Sequence, residues 1–154
     1  MNLTDILSPD TIVPALKAKD RWQAIEELVD TLISSKKLGA DQRDRVLAAL
    51  KKREQSITTG IGDGVGIPHT PTEATRDFVG ALGRSASGVD FSAMDNRPVH
   101  FVVLFLSPMG QEKKHLQVLS SISKFMHDKK FRDQINRAKD AKDILDLIKS
   151  HGSK

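Results

Sequence analysis

The residues best suited to chemistry fall in one glycine-rich run, Thr58-Thr59-Gly60-Ile61-Gly62-Asp63-Gly64-Val65-Gly66-Ile67-Pro68-His69. Two familiar phosphate-binding patterns fail on it. There is no G-x-x-x-x-G-K-[ST], and no G-x-G-x-x-G opens a helix, because Pro68 ends the segment. The glycines still let the backbone approach a ligand closely and turn N–H groups inward; a flexible surface turn is the competing explanation. His69 shifts the balance. It follows a proline with a fixed φ and no N–H, which reads as a rigid strand end. Neutral imidazole is a good nucleophile toward phosphorus and also a ready leaving group, so a phosphohistidine keeps high transfer potential. Phosphoryl transfer asks the protein for alignment and for compensation of charge on three equatorial oxygens. Backbone N–H groups and one bidentate arginine suffice, with no metal required. A single histidine is more commonly a hydrogen-bonded structural residue, so the rest of the chain must supply the context.

The elements that would hold this histidine can be traced along the chain. Residues 6–16 are apolar but broken by Pro9 and Pro14, which fits an edge strand or an extended lead-in. Asp20 reads as a helix N-cap, with Gln23 completing a capping box. Behind it Trp22, Ile25, Leu28, Val29, Leu32 and Ile33 recur at helical spacing, predicting a helix over 20–36 that Gly39 closes. A second helix starts near the cap Asp41, turns Val46, Leu47 and Leu50 inward and ends around 53–55. The glycine run is then a turn and a short strand stopping at Pro68. Residues 78–82 and 99–106 read as strands. In the latter, Val99, Phe101, Val103 and Phe105 alternate with Val102, Leu104 and Leu106, so both faces are apolar and both need cover. Ser107-Pro108-Met109-Gly110 breaks the chain. A third helix follows from about Lys113 with Leu116, Leu119, Ile122 and Met126 on one side, and shorter helices span 129–136 and 140–149. The expected fold is one α/β domain over 1–154: a three-layer α/β/α sandwich whose sheet, given the irregular alternation of elements, is mixed and flanked by helices on both sides.

Composition narrows the function. The chain has 154 residues, 38% hydrophobic and 29% charged, as expected of a globular protein rather than a disordered one. The absence of cysteine excludes disulfides, thiolate metal sites and cysteine nucleophiles. The net charge of +4 is interleaved with acids, as in Lys139-Asp140-Ala141-Lys142-Asp143, and no aromatic-basic stacking pattern accompanies it. This is a solvated face rather than a nucleic-acid surface. No stretch approaches the roughly 20 apolar residues of a membrane span, and residues 1–9 lack the features of a secretory signal, so a cytoplasmic location is expected.

Several fragments together resemble a known family. Arg53-Glu54, Thr58-Thr59-Gly60-Ile61-Gly62 and Val65-Gly66-Ile67-Pro68-His69 are similar to the active-site signature of the fructose/mannitol-type enzyme IIA domains of the bacterial phosphotransferase system, with the nitrogen-regulatory branch the nearest likeness. The resemblance continues through Phe91-Ser92-Ala93-Met94-Asp95-Asn96-Arg97-Pro98-Val99 and His115-Leu116, covering about residues 5–149. It implies that His69 is the phosphoryl-accepting histidine, His115 a second active-site histidine and Arg53 the arginine that reaches the phosphoryl oxygens; otherwise Arg53 would form a surface salt bridge with an acid such as Glu54. A position at the start of a helix would favour anion binding by His115 over an imidazolium, helix capping or packing being its plainer role. Thr59 and Gly60 are implied as further phosphate donors. The family's α/β sandwich agrees with the fold read from the residues.

The implied activity is reversible phosphorylation of His69 by HPr or its nitrogen-branch relative, with no cofactor and no metal. The phosphoryl group would pass to a IIB domain for sugar uptake, or its presence would set binding to a regulatory target protein. With no IIB or membrane segment in this sequence, the expectation leans to regulation. His100, in the apolar strand, is expected to be a satisfied core residue, and His127 and His151 to be solvated. A zinc site shared by His69 and His115 lacks a third ligand at metal spacing. One departure stands out: Thr70-Pro71-Thr72-Glu73 replaces the glycine and basic residue that commonly follow the histidine, which stiffens the rim where a partner docks.

Overall fold

The run apolar on both faces becomes the centre of a six-stranded sheet. The structure, a computed structural model, describes residues 3–152, so the expected domain limits of 1–154 lie outside the described residues at both ends. The strands are β1 (Ile12–Val13), β2 (Gly60–Gly62), β3 (Val65–Gly66), β4 (His69–Thr72), β5 (Val79–Val89) and β6 (Val99–Pro108); the helices are α1 (Arg21–Ser34), α2 (Arg43–Ser56), α3 (Glu112–His127), α4 (Lys129–Arg137) and α5 (Ala141–Gly152). The order across the sheet is β1-β5-β6-β3-β2, with β4 also on β6. β5 is antiparallel to β6, whereas β1 is parallel to β5, and β3 and β4 are parallel to β6. The sheet is therefore mixed.

Alternation along β6 divides the core. Val102, Leu104 and Leu106 pack with Ile25, Leu28 and Leu32 of α1 and Val46 and Leu50 of α2. Phe101, Val103 and Phe105 pack with Val118 and Ile122 of α3, Phe131 of α4 and Ile144 of α5. Helices cover both faces, as the sequence requires. Val99 departs from strict alternation and packs with the first group, at the place where the β5–β6 ladder is interrupted between Arg84 and Val89. β5 also runs well beyond residue 82. Its polar Arg84 is accommodated because the guanidinium donates to the carbonyls of Pro14, Ile135 and Ala138, tying the strand to the end of α4.

Local expectations are met in part. Asp20 caps α1 by accepting the Gln23 N–H at 2.9 Å. The Gln23 side chain accepts from Lys19 N–H rather than Asp20, so the reciprocal pair is displaced by one residue. Asp41 lies in a 3-10 turn, Ala40–Gln42, that leads into α2. The lead-in before α1 folds into two 3-10 turns, Leu3–Asp5 and Pro9–Thr11, before the short edge strand β1. On α3 the buried stripe is Val118, Ile122, Phe125 and Met126, leaving Leu116 64% exposed.

Gly39 does not close α1. Lys36 does, with φ 63°, while Lys36 N–H and Lys37 N–H donate to the carbonyls of Ile33 and Leu32. This is a Schellman ending built on a residue that pays for the left-handed conformation. Lys36→Gly should therefore raise the unfolding free energy by about 1 kcal/mol in urea denaturation; no gain would show that the turn carries no such strain.

Candidate active site around His69

His69 opens β4, in parallel register with Phe105 of β6. In-register neighbours in a sheet point to the same face, and the two rings stack at 5.2 Å between centroids and 7° between planes. Ser107, two residues further along β6, faces the same way. The first turns of α3 carry His115 over this face, where its Nδ1 lies 2.6 Å from Ser107 Oγ and its ring 5.3 Å from that of His69. The strand expected to stop at Pro68 does stop before it, at Gly66, but a further strand follows directly. Pro68 lacks a donor and interrupts the ladder between β3 and β4, but its carbonyl accepts the Phe105 N–H at 3.1 Å, so the chain stays aligned with β6 and resumes pairing at His69.

The tautomer of His69 follows from its surroundings. Nδ1 lies 2.6 Å from the carbonyl oxygen of Ile67. A carbonyl only accepts, so Nδ1 carries the proton and the neutral ring keeps its free lone pair on Nε2. The residue is 8% exposed. Burial pushes its pKa down from 6.5 to about 4; the bond to Ile67 opposes this, and the charges of Arg53 and His115 add to it. The half-buried His115 is also shifted downward, by burial and then by Arg53, against the pull of Glu112. Both rings are predominantly neutral at pH 7.

Arg53 lies in the last turn of α2, half-buried, with Nη1 donating to the Ile57 carbonyl at 3.0 Å. Its charge acts on both imidazoles. The alternative salt bridge to Glu54 does not form. Glu54 is buried, accepts Thr59 N–H at 2.7 Å and the Thr59 hydroxyl at 2.5 Å, and faces Arg21 at 3.6 Å. Thr59 thus directs both its donors to Glu54, and the Gly60 N–H donates to Thr58 Oγ1 at 3.0 Å. These two residues connect to the site through the backbone, since the Thr59 carbonyl accepts the Ile67 N–H at 3.1 Å.

The structure brings His69, His115 and the charge of Arg53 together, and it adds groups that the sequence reading did not single out: Phe105, Ser107, the Ile67 carbonyl and Glu54. Ser107 had a signal, as the hydroxyl closing the Phe101-Val103-Phe105 face. A backbone carbonyl has none. Beside His115 lies a cleft lined by Pro71, Ser107, Pro108, Met109 and Leu116, with Met109 and Leu116 exposed at its edge.

The remaining histidines lie elsewhere. His100 is half-buried, its Nδ1 2.9 Å from the Ser85 carbonyl. His127 is exposed, 3.6 Å from Asp63. His151 is not simply solvated: it stacks on Phe131 at 4.5 Å and lies 3.8 Å from Asp128. Among the described residues no three His, Cys, Asp or Glu side chains gather as a metal site, and no helix is long and apolar enough to cross a membrane.

The fold is that of an enzyme IIA unit of a phosphotransferase system. Residues 5–151 match the family described as phosphoenolpyruvate-dependent sugar phosphotransferase system, EIIA 2, and the chain belongs to that family. It is 32% identical over 151 residues to the PTS system fructose-specific EIIABC component of Bacillus subtilis, covering 98% of this chain but only 24% of that protein. It is 32% identical over 148 residues to a nitrogen regulatory protein of Bradyrhizobium diazoefficiens, covering 96% of this chain and 95% of the relative. The crystal structure of nitrogen regulatory protein IIA-Ntr from Neisseria meningitidis superposes with a TM-score of 0.85 at 27% identity, over 95% of this chain and 98% of that one.

The depressed pKa makes a stability prediction. An unfolded histidine binds a proton near pH 6.5, whereas folded His69 resists until about pH 4. In that window the unfolded chain binds more protons, so stability falls as pH drops, by on the order of 3 kcal/mol in full. His69→Gln should lose less stability than wild type between pH 7 and pH 4 in urea denaturation. Equal losses would show that the ring is not shielded.

Proposed function

We propose that this chain is a cytoplasmic phosphoryl carrier, acting as one EIIA unit, that accepts a phosphoryl group on His69 Nε2 from a phosphorylated HPr-type protein. The observation that carries the reading is the Nδ1–H···O=C bond to Ile67 on a buried, neutral ring. It aims an unprotonated nitrogen away from the backbone. As the new P–N bond to Nε2 forms, the P–N bond in the donor breaks and its electron pair returns to the donor imidazole. His69 keeps its Nδ1 proton throughout, and the Ile67 carbonyl stabilises the positive charge that develops on the ring.

Arg53 compensates the equatorial oxygens with the donors of its fork that Ile57 does not occupy. His115, held by Ser107 Oγ at Nδ1, offers Nε2–H to a phosphoryl oxygen when the serine donates. Thr59 and Gly60 would have to leave Glu54 and Thr58 to serve as phosphate donors; we assign them to shaping the loop instead. The apolar cleft edge at Met109 and Leu116 suits a partner that must exclude water while two histidines meet. Pro71 gives this edge a rigid side, and buried Thr70 and Thr72 anchor it.

The leading output is regulatory, with phosphorylation of His69 setting the affinity for a target protein. The full-length match to the nitrogen regulatory protein and the superposition on IIA-Ntr support it. The second reading, relay to a IIB domain for sugar uptake, is supported by the match to the fructose-specific EIIABC component.

Phosphorylated HPr should label the wild-type chain, and His69→Ala should abolish the label; persistent labelling would overturn the assignment. Arg53→Ala should slow transfer by about 10² without unfolding the protein, whereas an unchanged single-turnover rate would leave Arg53 a structural role only. Incubating the phosphorylated protein with IIB domains separates the outputs: rapid dephosphorylation favours sugar relay, and retention of the phosphoryl group favours regulation.

A further inference from the structure

We infer that Glu54 is a positioning residue for His69, acting through the backbone of the glycine-rich loop; the inference rests on His69 being the phosphoryl acceptor. Carboxylates are seldom buried without a specific set of partners. Glu54 is 1% exposed and, although it adjoins Arg53 in α2, its carboxylate engages Thr59 and Arg21. One carboxylate oxygen accepts the Thr59 N–H and the other the Thr59 hydroxyl, a two-point grip on the first residue after the helix-to-loop connection. Arg21, in the first turn of α1, faces the same carboxylate at 3.6 Å and lies over the Trp22 ring at 4.4 Å, so the grip is anchored to a second helix.

From Thr59 the contact passes in two further steps. The Thr59 carbonyl accepts the Ile67 N–H, and the Ile67 carbonyl accepts the His69 Nδ1–H. Pro68 lies between Ile67 and His69 with its φ fixed, so little slack remains in that link. Between Thr59 and Ile67 the chain forms the β2–β3 hairpin, with β3 on β6 and with Gly62, Gly64 and Asp63 at positive φ in its turn. The side of the hairpin away from β6 is therefore the one that lacks a neighbouring strand among the described residues. β6 fixes one side of the hairpin, and Glu54 supplies the fixed point on the other, at Thr59. It thereby holds the carbonyl that selects the Nδ1–H tautomer and leaves Nε2 as the nucleophile.

Glu54→Gln can keep both contacts, its oxygen accepting the Thr59 N–H and its amide donating to the hydroxyl. Glu54→Met fills a similar volume and leaves both Thr59 donors without a partner. The full chain, labelled with ¹⁵N, should show His69 as the Nδ1–H tautomer in wild type and in Glu54→Gln by long-range ¹H–¹⁵N correlation. In Glu54→Met the two ring nitrogens should move toward averaged shifts, and single-turnover phosphorylation by phosphorylated HPr should slow about 10- to 100-fold. Should Glu54→Met fail to fold, Thr59→Val removes one of the two contacts and should shift both readouts in the same direction by less. An unchanged tautomer and an unchanged rate in a folded Glu54→Met, or in Thr59→Val if Glu54→Met does not fold, would overturn the inference, whatever happens to thermal stability. Absence of labelling in wild type would instead overturn the carrier reading, while the tautomer measurement would still judge Glu54.

Discussion

The hydrogen bond from His69 Nδ1 to the Ile67 carbonyl is the constraint on which the site depends. It is made between residues two apart, across Pro68, while the chain keeps a single register along β6 from β3 into β4. Without it the buried ring could carry its proton on either nitrogen. With it, the ring presents a lone pair in one direction. A backbone acceptor suits this role because, unlike a carboxylate, it brings no full charge that would draw a second proton onto the ring.

The position of β4 explains how the other groups arrive. Among the described residues β4 pairs with β6 alone, so its outer edge is open. His115 comes from the helical layer that packs on Phe101, Val103 and Phe105, whereas Arg53 comes from the end of α2, in the opposite layer. Groups from both layers of a sandwich can meet only at an edge or an end of the sheet, and the start of β4 is such a place. The same arrangement has an electrostatic consequence. Arg53 lowers the proton affinity of both rings, so the cation that would compensate phosphoryl charge also helps keep the acceptor unprotonated beforehand.

Much of this was legible in the residues. The two apolar faces of β6 required helices on both sides, and Asp20 marked the start of α1. His69 stood out through the residues around it, and Arg53 and His115 through a family resemblance rather than through any spacing rule. The failures have definite physical causes. Closure of α1 at Lys36 was hidden because lysine is a poor marker for a left-handed residue. The continuation beyond Pro68 was hidden because a proline removes one ladder bond without forbidding the next, when a long neighbouring strand offers partners. Leu116 read as core because hydrophobicity alone does not say which stripe of α3 faces the sheet. For Thr59 and Gly60, a sequence shows which N–H groups a loop has but not where they are directed, here to Glu54 and Thr58. Glu54 passed as a surface charge for the same reason.

The proposed acceptor, His69 Nε2, is tested by which ring nitrogen takes up phosphorus. Long-range ¹H–¹⁵N correlation on the phosphorylated, ¹⁵N-labelled chain reads this directly. The structure predicts a phosphoramidate on Nε2 of His69 with the proton retained on Nδ1. Phosphorus on Nδ1, or on any other histidine, would contradict it.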